Sequence, residues 1–84
     1  MQEHTKIYYD YYGYNEGDFI PCEVDGRIAV DIHHIEYRSK FGSKNKAAQN
    51  SIRNLIALCR DCHNKAHKNI LNKEYLKYKH EITL

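Results

Sequence analysis

The 84-residue sequence lacks any apolar run long enough for a signal peptide or a membrane-spanning helix, so we expect no association with a membrane. It has only three cysteines, and an odd number argues against a closed framework of disulfides. We therefore expect a reduced, cytoplasmic protein whose thiolates bind metal. A domain this small buries only about 60% of its unfolded surface, so a bound metal or a partner would help it to fold.

Charge is distributed unevenly along the chain. Residues 1–37 contain eight acidic and two basic residues, a net charge of −6. Residues 38–84 contain eleven basic and three acidic residues, a net charge of +8. A basic half of this kind indicates a polyanionic partner. The alternative is a lysine-rich helix surface that is simply solvated.

The first part of the sequence predicts irregular structure followed by a hairpin. Residues 1–18 are rich in tyrosine and broken by glycines. We predict that this segment is irregular and that its tyrosines pack across the core rather than stack on bases. A hairpin is predicted over residues 19–35, because Asp25 and Gly26 form a strong turn signal between two apolar stretches.

The remaining elements are a loop, a strand and two helices. Residues 36–50 are polar and predict a loop of about fifteen residues, a length that is uncommon in compact domains unless the loop has a function. Residues 51–58 (SIRNLIAL) predict a second strand. Helices are predicted over residues 60–68 and 73–82, the second with Asn72 as its N-cap.

Three cysteines and one aspartate have the spacing of a structural zinc site. Cys59 and Cys62 form a C-x-x-C pair, which presents two thiolates to one ion from a tight turn. Cys22 and Asp25 have the same spacing in the predicted hairpin, and zinc also accepts a carboxylate. Such a site would tie the hairpin to the start of the helix. The alternative is that Asp25 only begins the turn and that zinc is three-coordinate or absent.

The histidines indicate a second metal site. His63 and His67 are four residues apart in the predicted helix and therefore share one face. Because Cys62 and His63 are about 100° apart around this helix, we expect the two ligand sets to bind different ions. His33 is predicted to complete a three-histidine site with open positions, as in catalytic metal centres.

His34 is predicted to have a role separate from that of His33. Neighbouring residues of a strand point to opposite faces, so the two rings have different surroundings. An imidazole changes charge near neutral pH and is therefore suited to act as a general base. We predict that His34 stands free beside the metal and faces solvent. For a single histidine, the alternative would be a hydrogen-bonded place in the core.

These residues resemble the motif of the HNH endonucleases, which have the ββα-metal (His-Me finger) fold. The matching segments are DIHHI, the asparagine of RNLIAL and CRDCHNKAH, within residues 22–67. The paired histidines are similar to those of colicin-type DNases. The resemblance implies an α+β domain in which a long loop joins two strands and a metal-binding helix follows, with a C-terminal helix appended. Residues 1–18 would precede a nuclease core at 19–69, and residues 70–84 would form the last helix of this single domain.

The resemblance implies a metal-dependent DNA endonuclease that hydrolyses phosphodiester bonds. His33, His63 and His67 would bind the catalytic ion, which could be Mg²⁺, Mn²⁺, Ni²⁺, Co²⁺ or Zn²⁺. His34 would be the base that activates water. Asn54 would hold the loop that carries His34, or approach the metal. Cys22, Cys59 and Cys62 would hold a structural zinc. Asp25 departs from the family pattern, since phage and bacterial members usually carry a cysteine there.

Eight basic residues are candidates for contacts with DNA phosphates, which bind without reading sequence. They are Arg38, Lys40, Lys44, Lys46, Arg53, Arg60, Lys65 and Lys68. Single modules bury about 600–1,000 Å² on DNA, so we expect weak sequence preference or recruitment by a partner protein. Cutting both strands would need a homodimer or two binding events. We expect a location in the cytoplasm of a bacterial or phage-infected host cell. The alternative function is a non-catalytic zinc module that binds nucleic acid.

Overall fold

The computed structural model describes residues 1–37, 40 and 45–84. Its elements are the helix α1 (Glu3–Tyr12), the strand β1 (Asp31–His34), the short helix α2 (Lys46–Gln49), the strand β2 (Leu55–Leu58), and the helices α3 (Arg60–His67) and α4 (Lys73–Thr83). The predicted α+β order of two strands followed by two helices is confirmed. The prediction that residues 36–50 form a loop is wrong for Lys46–Gln49, which form α2. None of the helices in the described ranges has the length and apolar character to span a membrane.

The sheet has two antiparallel strands and a helix against each face. Ile56 and Leu58 of β2 pack in a cluster with residues of α3 and α4. Leu55 and Ala57, which alternate with them, pack with Tyr8 of α1. All four residues of β2 are buried because both faces of the sheet are covered.

β2 is shorter than the predicted strand at 51–58. The residues just before β2 form a 3-10 turn (Ile52–Asn54) instead. The Ser51 hydroxyl caps this turn by accepting a hydrogen bond from the main-chain N–H of Arg53. The helix predictions are confirmed to within one residue at each end. Asn72 is the N-cap of α4, since its Oδ1 accepts from the N–H of Tyr75 at 2.8 Å.

The predicted hairpin is present as a tight turn with little strand around it. The main-chain N–H of Cys22 donates to the carbonyl of Arg27 at 2.6 Å. Gly26 has a φ of 78°, a left-handed conformation that explains the glycine of the Asp-Gly signal. A single antiparallel bridge joins Pro21 to Ile28. The N–H of Ala29 donates to the carbonyl of Ile20 at 2.8 Å on the other side of this pair, so the missing N–H of Pro21 removes no hydrogen bond from the bridge.

The N-terminal segment is a helix, and the prediction that residues 1–18 are irregular is wrong for residues 3–12. His4 and Tyr8, one turn apart, are its buried residues. The helix ends at Gly13, which has a φ of 77° and donates its N–H to the carbonyl of Tyr9. A glycine in this conformation is a common helix terminator. The glycine that suggested irregular structure therefore caps α1.

Glu23 lies at the centre of a buried polar cluster that joins both terminal helices to the hairpin. Its Oε2 accepts from the Tyr8 hydroxyl at 2.6 Å and from the N–H of Ala57 at 3.2 Å. Its Oε1 accepts from Nδ1 of His80 at 2.7 Å and from the Thr83 hydroxyl at 3.0 Å. One carboxylate thus connects α1, β2 and α4. A buried carboxylate is tolerated only when hydrogen-bond donors compensate for its lost hydration, and Glu23 has four such donors.

The ring of His80 is the cationic partner in this cluster. It is 1% exposed, and its Nε2 lies 2.6 Å from the carbonyl of Ile52. Burial acts to lower the pKa of His80, but the contacts with Glu23 and Ile52 outweigh it, and the pKa is raised. The protonated ring can donate from both nitrogens to these two acceptors.

Glu36, two residues beyond β1, binds the C-terminal helix. Its carboxylate contacts the ammonium groups of Lys40 at 2.8 Å, Lys77 at 2.9 Å and Lys73 at 3.1 Å. These hydrogen bonds, the one from Lys40 first, lower the pKa of Glu36 to about 2. The end of β1 is thereby fixed to α4.

We expect Tyr8→Phe to lower the free energy of unfolding by about 1–3 kcal/mol, because Glu23 loses a buried donor. Burial, above all, raises the pKa of Tyr8, so the phenol stays protonated and donates. Tyr11 is an exposed tyrosine of the same helix, and Tyr11→Phe should change stability by less than about 0.5 kcal/mol. Urea unfolding followed by circular dichroism measures both. Equal effects would show that the buried hydroxyl does not hold α1.

Candidate active site

Three imidazoles converge where α3 packs on β1. One ring nitrogen from each of His33, His63 and His67 lies within 4.8 Å of the other two. The Nε2 atoms of His63 and His67 are only 3.0 Å apart, as expected for residues four positions apart on one helix. The structure therefore brings together the three histidines that the sequence grouped. Neutral imidazoles in this arrangement could hold one divalent cation.

His33 is the buried member of this group. Burial, first of all, and then the neighbouring imidazoles of His63 and His67 lower the pKa of His33 to about 4. The ring is therefore neutral at neutral pH, which is the form that binds metal. Its place on β1 sets the orientation, because the strand directs it toward α3.

Asp31 orients His63 from the same strand. Its Oδ2 lies 2.8 Å from Nδ1 of His63 and 3.2 Å from a guanidinium nitrogen of Arg60. An Nδ1–H that donates to a carboxylate leaves Nε2 available to a metal. The sequence reasoning missed Asp31. The sequence does contain a pattern that indicates this contact. Asp31 and His33 are two residues apart in a strand, so their side chains lie on the same face.

His34 lies on the other face of β1, against α1. Its ring centroid is 4.4 Å from that of His4, and its Nε2 is 2.9 Å from Oδ1 of Asn50. The prediction that His33 and His34 point to opposite faces is confirmed. The prediction that the ring of His34 stands free in solvent is wrong, because His4 and Asn50 contact it.

Asn54 joins the two ends of the segment that follows β1. Its Oδ1 accepts from the N–H of Glu36 at 2.8 Å, and its Nδ2 donates to the carbonyl of Gln49 at 2.9 Å. Its main-chain carbonyl also accepts from the N–H of Ile35 at 2.9 Å. These bonds hold the chain just after His34. Of the two roles considered for Asn54, they favour the one of holding the loop.

The second group of ligands lies between the hairpin and the start of α3. One ligand atom from each of Cys22, Asp25, Cys59 and Cys62 is within 4.8 Å of the others. Oδ2 of Asp25 is 3.3 Å from Sγ of Cys62 and 3.4 Å from Sγ of Cys59. The three thiols are buried and the carboxylate is exposed. Three sulfurs and one oxygen form a donor set that fits a tetrahedral zinc ion.

Hydrogen bonding and burial act in opposite directions on the pKa values of this group. A hydrogen bond from the N–H of Arg27 is the first cause that lowers the pKa of Asp25 to about 2, so the carboxylate is ionised. Burial raises the pKa of Cys62, and also that of Cys22. A cation reverses this tendency, since a coordinating thiol is deprotonated. The thiols would therefore ionise together with the binding of metal.

The comparison with known families matches this arrangement. The sequence model of the family described as "HNH endonuclease" matches residues 21–69. This range is more than half of the chain and contains both groups of ligands. The chain belongs to the HNH endonuclease family. Searches of the curated proteins and of the solved structures gave no match.

Family membership supports a nuclease-type function and DNA as the partner of this HNH protein. The small α+β fold agrees with the ββα architecture of the family. The ββα unit comprises β1, β2 and α3, which carry His33, His63 and His67. The helices α1 and α4 both lie outside the matched range.

The basic residues predicted to contact DNA are spread over the surface. Arg38 and Lys44 lie outside the described residues. Four others pair with acidic groups of this HNH protein: Lys40 with Glu36, Arg53 with Glu81, Arg60 with Asp31 and Lys65 with Asp61. Lys46 and Lys68 are exposed. Exposed ion pairs are weak, so these cations could exchange a carboxylate for a phosphate.

We expect Asn54→Ala to lower the free energy of unfolding by about 2–3 kcal/mol, because Glu36 and Gln49 lose partners for their main-chain groups. The N–H of Glu36 should also exchange with solvent faster relative to that of Ala57. Asn72→Ala is the matched control, since it removes a helix cap for about 1 kcal/mol without touching Glu36. Hydrogen exchange measured by NMR separates the two. An unchanged relative exchange rate at Glu36 would contradict the role of Asn54.

Proposed function

We propose that this protein is a metal-dependent endonuclease that hydrolyses phosphodiester bonds in DNA. The observation that carries the proposal is the separation of two ligand groups, one of three imidazoles and one of three thiols with a carboxylate. A zinc module that only binds nucleic acid needs the second group but has no use for the first. His34, next to the first group in the chain, adds an imidazole suited to general base catalysis.

The imidazole group is proposed to hold the catalytic cation and the thiol group a structural zinc. Imidazoles accept Mn²⁺, Co²⁺, Ni²⁺ and Zn²⁺, and Mg²⁺ also remains a candidate. When bound at His33, His63 and His67, a divalent ion supplies stabilisation of the negative charge that develops on the phosphate and on the leaving oxygen. The contact of Asp31 with Nδ1 of His63 supports this assignment, because it directs Nε2 into the group.

His34 is proposed to act as the general base. Its ring accepts a proton from a water molecule, and the water oxygen attacks phosphorus in line with the leaving 3′ oxygen. The bond from phosphorus to that oxygen breaks, which leaves a 5′-phosphate and a 3′ oxyanion. The oxyanion takes a proton from solvent to become the 3′-hydroxyl, and the ring of His34 returns its proton to solvent. The contacts of His34 with His4 and Asn50 support the proposal, because a base must be held in a fixed orientation.

DNA is proposed to bind through its phosphates to the basic side chains of the protein. Arg60 is well placed for this role, since it shares Asp31 with His63 of the imidazole group. The other candidates are Arg38, Lys40, Lys44, Lys46, Arg53, Lys65 and Lys68. Contacts of this kind do not read bases, so we propose weak sequence preference unless a partner protein or a second copy adds specificity.

For the zinc site, natively purified protein should contain one equivalent of zinc that survives mild chelation. Cys62→Ser should lose this equivalent, because a hydroxyl is a poor replacement for a thiolate. His67→Ala, on the same helix, should retain it, since His67 belongs to the other group. Elemental analysis of the three proteins measures the difference. Native protein without zinc, or zinc retained by Cys62→Ser, would contradict the assignment.

For the catalytic site, His34→Ala should reduce plasmid cleavage by about 100-fold or more, because the water loses its base. The assay is run across Mg²⁺, Mn²⁺, Co²⁺, Ni²⁺ and Zn²⁺. Tyr78→Ala, at an exposed position of α4, is the control and should cleave like the parent.

Circular dichroism and zinc content should be the same in His34→Ala and in the parent. A His34→Ala protein that cleaves as fast as the parent would exclude the catalytic role of this residue. A parent without cleavage under any of the ions would favour the non-catalytic zinc module.

A further inference from the structure

We infer that Glu3 and Asn50 form a positioning relay that fixes which ring nitrogen of His34 carries the proton. The inference rests on the proposed function for its catalytic meaning. Asn50 places Oδ1 2.9 Å from Nε2 of His34, and its Nδ2 donates to Oε2 of Glu3 at 3.3 Å. Neither Glu3 nor Asn50 belongs to the HNH motif in the sequence.

The carboxylate of Glu3 determines the orientation of the Asn50 amide. An ionised carboxylate only accepts hydrogen bonds, so the Nδ2 side of the amide must face it. The Oδ1 side then faces His34. If the amide were reversed, Oδ1 of Asn50 would face the carboxylate oxygen of Glu3, and the two acceptors would repel each other. Nδ2 would then face Nε2 of His34, and a protonated Nε2 would meet a second donor. The negative charge of Glu3 therefore selects one of the two amide orientations.

The amide orientation in turn determines the tautomer of His34. An amide oxygen only accepts, so a hydrogen bond at 2.9 Å requires a proton on Nε2 of His34. In a neutral ring, a proton on Nε2 leaves the lone pair on Nδ1. The relay thus makes Nδ1 the atom that receives the proton from water. A ring with the opposite tautomer would present a donor there and could not act as a base.

Both members of the relay are held by main-chain structure. The N–H of Asn50 donates to the carbonyl of Lys46 at 2.9 Å, which ends α2. Glu3 lies in the first turn of α1, and the next residue, His4, contacts both the ring of His34 and the carbonyl of Ile32 at 3.2 Å. These contacts fix the register of α1 against β1. The N-terminal helix therefore contributes a positioning residue to the site.

The first test is the tautomer itself. Long-range ¹H–¹⁵N correlation spectra of the zinc-bound protein, recorded at a pH at which the His34 ring carries one proton, distinguish a protonated Nε2 from a protonated Nδ1. We expect His34 of the parent to carry its proton on Nε2. Asn50→Leu removes the acceptor and should produce a mixture of both tautomers. Asn50→Asp keeps an acceptor and should restore the proton on Nε2.

The second test separates positioning from folding. Asn50→Leu should slow single-turnover cleavage by on the order of 10-fold to 100-fold with an unchanged Kd for DNA, whereas Asn50→Asp should recover most of the rate. Glu3→Ala should give a smaller loss of rate and a partial mixture of tautomers. Asp10→Ala removes the same charge from an exposed position further along α1 and should change neither readout.

The outcomes distinguish the inference from the function on which it rests. A parent in which His34 carries its proton on Nδ1, or an Asn50→Leu variant with unchanged tautomer and rate, would overturn the relay. The tautomer decides this even in a protein that does not cut DNA, while the plasmid assay reports on the nuclease function separately. Should Asn50→Leu fail to fold, the comparison of Glu3→Ala with Asp10→Ala still decides between a relay and no relay.

Discussion

The alternation of side chains along β1 is the constraint on which the rest of the site depends. His33 and His34 are neighbours, yet a strand sends them to opposite faces, and each face is covered by a different helix. α3 brings two further imidazoles to His33, whereas α1 and Asn50 meet His34. The antiparallel pairing with β2 keeps this register, because a slip by one residue would exchange the two rings. One local rule of backbone geometry thus gives two adjacent imidazoles different surroundings.

Much of this arrangement could be predicted because it is encoded by local spacing. The pair of histidines on α3, the C-x-x-C at its start and the turn at Asp25 are properties of short segments with known geometry. The structure then brings the separate segments together in two groups. The Asn72 cap was predictable for the same reason, since a cap is formed within one turn of a helix.

What could not be predicted depends on contacts between residues far apart in the chain. Glu3 meets Asn50 across 47 positions, and Glu23 meets His80 across 57. No periodicity or spacing signals such pairs. The N-terminal helix was missed because Gly13 was taken as a break within the segment, when it is the residue that ends a helix. The placement of His34 in solvent was wrong because it assumed that nothing from the N-terminus would cover that face.

The way in which Asn54 closes the segment after β1 has an evolutionary consequence. Its bonds with the N–H of Glu36 and the carbonyl of Gln49 join the two ends of the segment, so the segment is closed at its base. Adding residues to a loop that is already closed at its base costs little, since the entropy of closure grows only slowly with length. A gene could therefore acquire insertions within this segment while β1, β2 and α3 keep the arrangement of their histidines.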